Sequence, residues 1–338
     1  MAKYGVAALF LILLSLVTGC ALLKSSPGEP IVSPTEAAST AADGLPLTVL
    51  SPTVGTPAPT SSHSTNQAVP PVVLNSVNEV SALDRADLKV LSKIGIHLAN
   101  AEITLSSGAG IRKGHLKIEK ISGDADCKVR VQDSEKGIEI SEPLLRHSPD
   151  GHSAVVKVKS ALPVVSKCRF SIEIGLKKAA DTNIELVRGT LSVEGWDEPL
   201  RVKMEWGEID VGTVGELSVV CGRCSLTGEG VEGPLHYTLE TGNVGLTGLA
   251  GSVEGQTLGD TVLKWRKLRA DSNVKLSSRA GDVILFFPET VPLAIDLKAP
   301  HGEVNSRFQT GAHGVPVSVS AELGNVKVYR STKEAVSQ

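Results

Sequence analysis

Aromatic residues make up only 3% of this 338-residue chain, which argues against broad stacking surfaces for nucleobases or sugars. A basic excess is missing as well. The formal net charge is −3, so the chain lacks the electrostatic footprint of a nucleic-acid binder. After Val17 no apolar run is long enough to cross a bilayer, which takes about 20 residues. Long helical periodicity is absent, and Val80 to Leu91 is the one short stretch with a helical pattern. The eight histidines are scattered, with no pair at metal-ligand spacing and no Ser/His/Asp order. These absences predict a protein that is not an enzyme and needs no cofactor or metal.

What is present begins at the N-terminus. One positive charge in Met1-Ala2-Lys3-Tyr4 precedes the uncharged run Gly5 to Val17, followed by small residues. That order describes a secretory signal over residues 1–19. Leu16-Val17-Thr18-Gly19-Cys20 resembles a bacterial lipobox, with Val17 where leucine is commoner. The resemblance implies cleavage before Cys20 and acylation of that cysteine, palmitate included. Each buried CH₂ contributes ~0.8 kcal/mol, so two or more chains hold stably where one does not. Ala21 gives no inner-membrane retention signal by the same analogy, which favours the outer membrane of the cell envelope.

Residues 20–84 read as a disordered linker. Nine of the 18 prolines fall between Pro27 and Pro71, and no Lys or Arg occurs between Lys24 and Arg85. Such a segment buries too little to offset its ordering entropy.

The pattern then changes to period-two alternation, the signature of half-buried strands. Leu116/Ile118, Phe170/Ile172/Ile174, Leu217/Val219/Cys221, Leu235/Tyr237/Leu239 and Val315/Val317/Val319 are examples. A glycine followed by a polar residue and an alternating pair recurs at Gly189, Gly207, Gly222, Gly242, Gly259, Gly281, Gly302 and Gly324, at steps of 15 to 22 residues. A repeat of that size is one coil of a β-solenoid, with glycine at a corner and aliphatic side chains inside. Eight coils at ~4.8 Å each give a rod about 35–40 Å long. A β-sandwich is the alternative, because short evenly spaced strands suit it too. The expected organisation is an N-terminal β-strand module over 85–186 and glycine-step repeats over 187–332.

These steps, above all at Gly207, Gly242, Gly281 and Gly324, resemble the bacterial β-strand-repeat family of adhesin-like proteins over about residues 100 to 330. Members of that family form single-chain parallel β-helices. The resemblance therefore implies an all-β, single-chain parallel β-helix, and it supplies no catalytic residues to carry over.

Four further cysteines in an exported chain permit disulfides. Cys127 and Cys168 each begin an alternating run and are expected on inward strand faces, where a bridge would contribute about 4 kcal/mol. Cys221-Gly222-Arg223-Cys224 has redox-pair spacing, but strands flank it and no helix is there to lower a thiol pKa. A disulfide stapling a tight corner is the plainer expectation, and an envelope thiol–disulfide protein is the alternative. Lys264, Trp265, Arg266, Lys267 and Arg269 form the strongest charge run, a candidate patch for an acidic envelope polymer or lipid phosphate. Asp210, Asp260, Asp271 and Asp282 would have to converge to support a polysaccharide-active enzyme. The expected function is a non-catalytic, lipid-anchored binding or scaffold protein of the envelope. Its partners are the membrane, through lipid, and an envelope polymer or surface protein.

Overall fold

The structure is a computed structural model that describes residues 77–143, 166–308 and 313–331. The signal, Cys20 and the linker up to residue 76 lie outside the described residues. All the described residues fall in the unit Val69–Gln338.

Every regular element among the described residues is a strand. The first six are β1 (Val77–Val80), β2 (Ala82–Leu88), β3 (Lys93–Ser107), β4 (Gly114–Ser122), β5 (Val129–Asp133) and β6 (Gly137–Ser141). Next come β7 (Arg169–Leu176), β8 (Asp181–Glu194), β9 (Leu200–Val211), β10 (Leu217–Glu229), β11 (Leu235–Thr241), β12 (Val244–Leu249) and β13 (Val253–Thr257). The last seven are β14 (Thr261–Trp265), β15 (Val274–Ser278), β16 (Val283–Pro288), β17 (Leu293–Lys298), β18 (Val304–Ser306), β19 (Val315–Ala321) and β20 (Val326–Ser331). Pairing among them is mostly parallel, which excludes a sandwich of antiparallel sheets.

Two parallel ladders organise the unit. In the first, Thr182, Leu200, Leu217, Leu235, Val253, Val274 and Val317 stand level on β8, β9, β10, β11, β13, β15 and β19. In the second, Leu191, Ile209, Leu226, Val244, Thr261, Val283 and Val326 stand level on β8, β9, β10, β12, β14, β16 and β20. The alternating apolar sets, from Leu116/Ile118 to Val315/Val317/Val319, are all buried and belong to one cluster. β8 itself crosses position 187. Size is matched between rungs: the Tyr237 ring occupies the space a side chain at Gly255 would need.

A column of glycines marks the bend between ladders. A side chain at Gly207 would run into the carbonyl oxygen of Gly189, and one at Gly242 into that of Cys224. Both also have positive φ, 153° and 133°. Hydroxyls serve the same corner: Thr257 Oγ1 donates to Gly242 O at 3.0 Å and Ser278 Oγ to Gly259 O at 3.1 Å.

The register corrects several expectations. Gly222 is not the corner residue of its repeat; Cys224 stands level with Gly207, and Gly222 sits in a break of the pairing. The last rungs are out of sequence order. β19 lies between β15 and β17, and β20 lies between β16 and β18. The stretch 80–91 is not helical, because β2 pairs antiparallel with β4. Residues 77–80 and 82–84, expected within the linker, are stranded, and β1 pairs antiparallel with β5. Cross-strand bonds and partial burial of Val80, Leu83, Leu88 and Leu91 override local propensity there.

At the N-terminal end the order is also non-sequential. β3 pairs with β8 along one edge and with β6 and β7 along the other. Antiparallel strands β5 and β4 then continue from β6 and β7.

Candidate functional site

Alternation divides the basic run. Trp265, the last residue of β14, is 1% exposed. Its Nε1–H donates to Gly251 O at 3.1 Å, and its ring stacks on Phe287 with centroids 4.5 Å apart. It is therefore a core residue and no ligand platform. Arg266, Lys267 and Arg269 lie exposed beyond the strand end, Arg266 paired with Glu232. Lys264 alone points outward from the second ladder.

On that outer face Lys264 stands level with Phe286, and Phe286 with Tyr329. The Phe286 and Tyr329 rings stack at 5.5 Å, both half-buried. The Arg307 guanidinium lies 5.6 Å from the Tyr329 ring. Lys327, on the neighbouring row, is 3.5 Å from Asp282. Arg330 covers Phe308, which meets Phe287 edge-on. Five of the chain's eleven aromatics thus gather at this end of the second ladder. On β8 to β10 the same outer face is acidic, with Glu194, Glu208, Asp210 and Glu229 exposed. The face is polarised along its length.

No charge run reveals this row, yet the sequence carries its signal. Lys264, Phe286, Tyr329 and Arg307 each follow a corner glycine (Gly259, Gly281, Gly324 and Gly302) by five residues. Aligning the repeats on glycine puts all four in one column.

The four aspartates do not converge. Asp260 and Asp282 belong to a row of side-chain bonds between rungs: Asn243 Oδ1 accepts the Asp260 N–H, and Asp260 Oδ1 accepts the Asp282 N–H. Asp282 Oδ1 accepts the Asn325 N–H, and Asn325 Oδ1 accepts the Glu303 N–H. Asp210 faces Thr227 on another row, and Asp271 lies in a separate turn. Among the described residues no group of three His, Cys, Asp or Glu is placed to hold a metal.

Both cysteine pairs are bonded, with Cα atoms 5.6 Å apart for Cys127–Cys168 and 6.0 Å for Cys221–Cys224. Cys127 and Cys168 sit just ahead of β5 and β7 and not within them, because the strands begin one or two residues later. Cys221 and Cys224 both point into the core from β10. Between them Arg223 points out over Trp206 at 4.5 Å, with Arg188 on the other side at 5.9 Å.

The outer face of the first ladder holds an open groove of about 560 Å³ at its N-terminal end, lined in part by Lys93, His97, Glu139, Asp181 and Arg201. His97 Nδ1 is 3.4 Å from Glu185. No helix among the described residues is long and apolar enough to cross a membrane.

No family model and no curated protein matches the chain. Solved structures similar to it include the following three. A candidate cell adhesion protein from Clostridium sporogenes is 12% identical, covers 74% of this chain and 100% of its own, and has a TM-score of 0.27. A candidate adhesin from Bacteroides fragilis is 13% identical, with coverage of 74% and 97% and a TM-score of 0.41. A candidate lipid-binding protein from Parabacteroides distasonis is 11% identical, with coverage of 75% and 97% and a TM-score of 0.26. These likenesses are weak.

Proposed function

We propose that this chain is a lipid-anchored, non-catalytic binding protein of the bacterial envelope. Its body is a single-chain parallel β-helix, and the row Lys264, Phe286, Tyr329 and Arg307 holds an acidic polymer. The single observation that carries the reading is the stacked Phe286–Tyr329 pair with cations on both sides of it. Aromatic faces offer apolar contact to sugar rings, while lysine and arginine meet carboxylate or sulfate groups. The repeat suits a polymer, because rungs ~4.8 Å apart present similar side chains along a line. The anchor part of the reading rests on the lipobox at Cys20.

Binding of the full chain to polygalacturonate, against a neutral glucan, tests the row. Phe286→Ala with Tyr329→Ala should weaken binding about tenfold or more at an unchanged thermal midpoint. Equal binding by wild type and variant, or none to any anionic envelope polymer, defeats the reading. Palmitate labelling tests the anchor: label should enter the wild type and not Cys20→Ser.

A polysaccharide-active enzyme is the second reading, and the groove containing Glu139 and Asp181 favours it. Release of reducing ends from an acidic polysaccharide, abolished by Glu139→Gln, would put it first.

A further inference from the structure

A basic pocket at the end where the chain enters the sheet supports an inference independent of the aromatic row. The pairing of β2 with β4 shifts register between Ala86 and Leu88. The bulged residue, Asp87, has φ 66°, a left-handed conformation that Asp tolerates better than most residues. Bulges re-aim the side chains around them. Here the end of β2, the start of β4 and the end of β7 enclose a concavity of about 250 Å³.

Its lining includes five cations, Lys89, Arg112, Lys113, Lys177 and Lys178, and one carboxylate, Asp87. Asp87 is paired with Lys113 at 3.0 Å, and Glu198 meets Lys178 at 3.2 Å. Lys89, Arg112 and Lys177 have no carboxylate at ion-pair distance among the described residues. The pocket thus keeps three uncompensated positive charges on a chain whose net charge is −3. Gly114 belongs to the lining, and a side chain there would press on Leu88 at 3.0 Å. Crowded like charges repel, and an anion between them removes that cost.

We propose that this pocket binds a phosphate group, carried by a lipid headgroup or free in solution. Phosphate brings up to two negative charges and several acceptor oxygens to three open cations, and the Arg112 fork suits two of those oxygens. A lone carboxylate would leave two of the three charges uncompensated. The volume of about 250 Å³ has room for such a group.

Two arms test the proposal on the full chain carrying Cys20→Ser, which keeps acyl chains out of the assay. One is calorimetric titration with inorganic phosphate. The other is co-sedimentation with phosphatidylcholine vesicles containing phosphatidic acid. Saturable phosphate binding, weakened about tenfold or more by Lys177→Glu with Lys178→Glu, supports the proposal and assigns free phosphate. Binding to the vesicles alone, lost in the same variant, supports it and assigns the headgroup. Absence of saturable binding in both arms, or binding that the variant leaves intact, overturns it. Arg112→Gln gives the same readout should the double variant not fold.

Discussion

The Asp282 carboxylate accepts the backbone N–H of Asn325 at 2.8 Å, across 43 residues of chain. One rung earlier the equivalent bond, from the Asp282 N–H to Asp260, spans 22 residues. The doubled span records the displaced rung. Residues 293–306 are bypassed, and 315–331 take the place beside β15 and β16. The aspartates on this row therefore join rungs.

That bond should be visible in acid. The Asn325 backbone N–H, with further help from the Asn325 amide and Lys327, holds the Asp282 carboxyl below its ordinary value of 3.8 despite partial burial. A depressed folded pKa contributes stability that is complete above the unfolded value and is lost as pH falls through the folded one. Asp282→Asn should therefore be less stable than wild type at neutral pH. The gap should narrow as pH falls through the ordinary carboxyl value of 3.8 and on through the lower folded one. Thermal unfolding of both proteins across that range checks it, and a gap independent of pH refutes the attribution.

Gly242 and Gly245 are three residues apart and should respond to alanine very differently. At Gly242 the new methyl meets the Cys224 carbonyl with φ at 133°. At Gly245 nothing lies within 4 Å. Urea denaturation should show a loss of about 1–3 kcal/mol for Gly242→Ala. For Gly245→Ala the change should stay within about 0.5 kcal/mol.

The two disulfides close loops of different size, with separations of 41 and 3 residues. Chain entropy assigns about 4 kcal/mol to the first and about 1.6 to the second. Cys127→Ala with Cys168→Ala should thus lower the urea midpoint more than Cys221→Ala with Cys224→Ala. The reverse order would mean that core packing around Cys221 and Cys224 outweighs loop closure.

Trp265 and Phe286 separate folding from binding. Trp265→Ala removes a fully buried ring and should cost about 3–5 kcal/mol. Phe286→Ala trims a half-buried outer ring, so it should lose polymer binding while the thermal midpoint moves little. Calorimetry and binding measured on both variants give the comparison.

Strand content and core membership were legible because alternation is local: Leu217, Val219 and Cys221 announce an inward face without reference to any partner. Partnering is not local. The Val80–Leu91 pattern reads as helical until β4 and β5 supply edges for it to pair with. The basic run misled for a related reason. Consecutive residues on a strand face opposite sides, so charge adjacency from Lys264 to Arg269 is not spatial adjacency, whereas equal offsets from the corner glycines are.

The amino-acid order by itself determined a chain of short strands turned by glycine, with aliphatic residues inward. Those features follow from φ/ψ freedom and from burial within a few residues. Only the tertiary structure decided which rung lies beside which, that Cys224 takes a glycine's corner, and the order in which Lys264, Phe286, Tyr329 and Arg307 stand along their line. Rungs of similar alternation are interchangeable as sequence. The neighbour each one takes is set by interstrand hydrogen bonds, side-chain fit and the reach of the connecting loops.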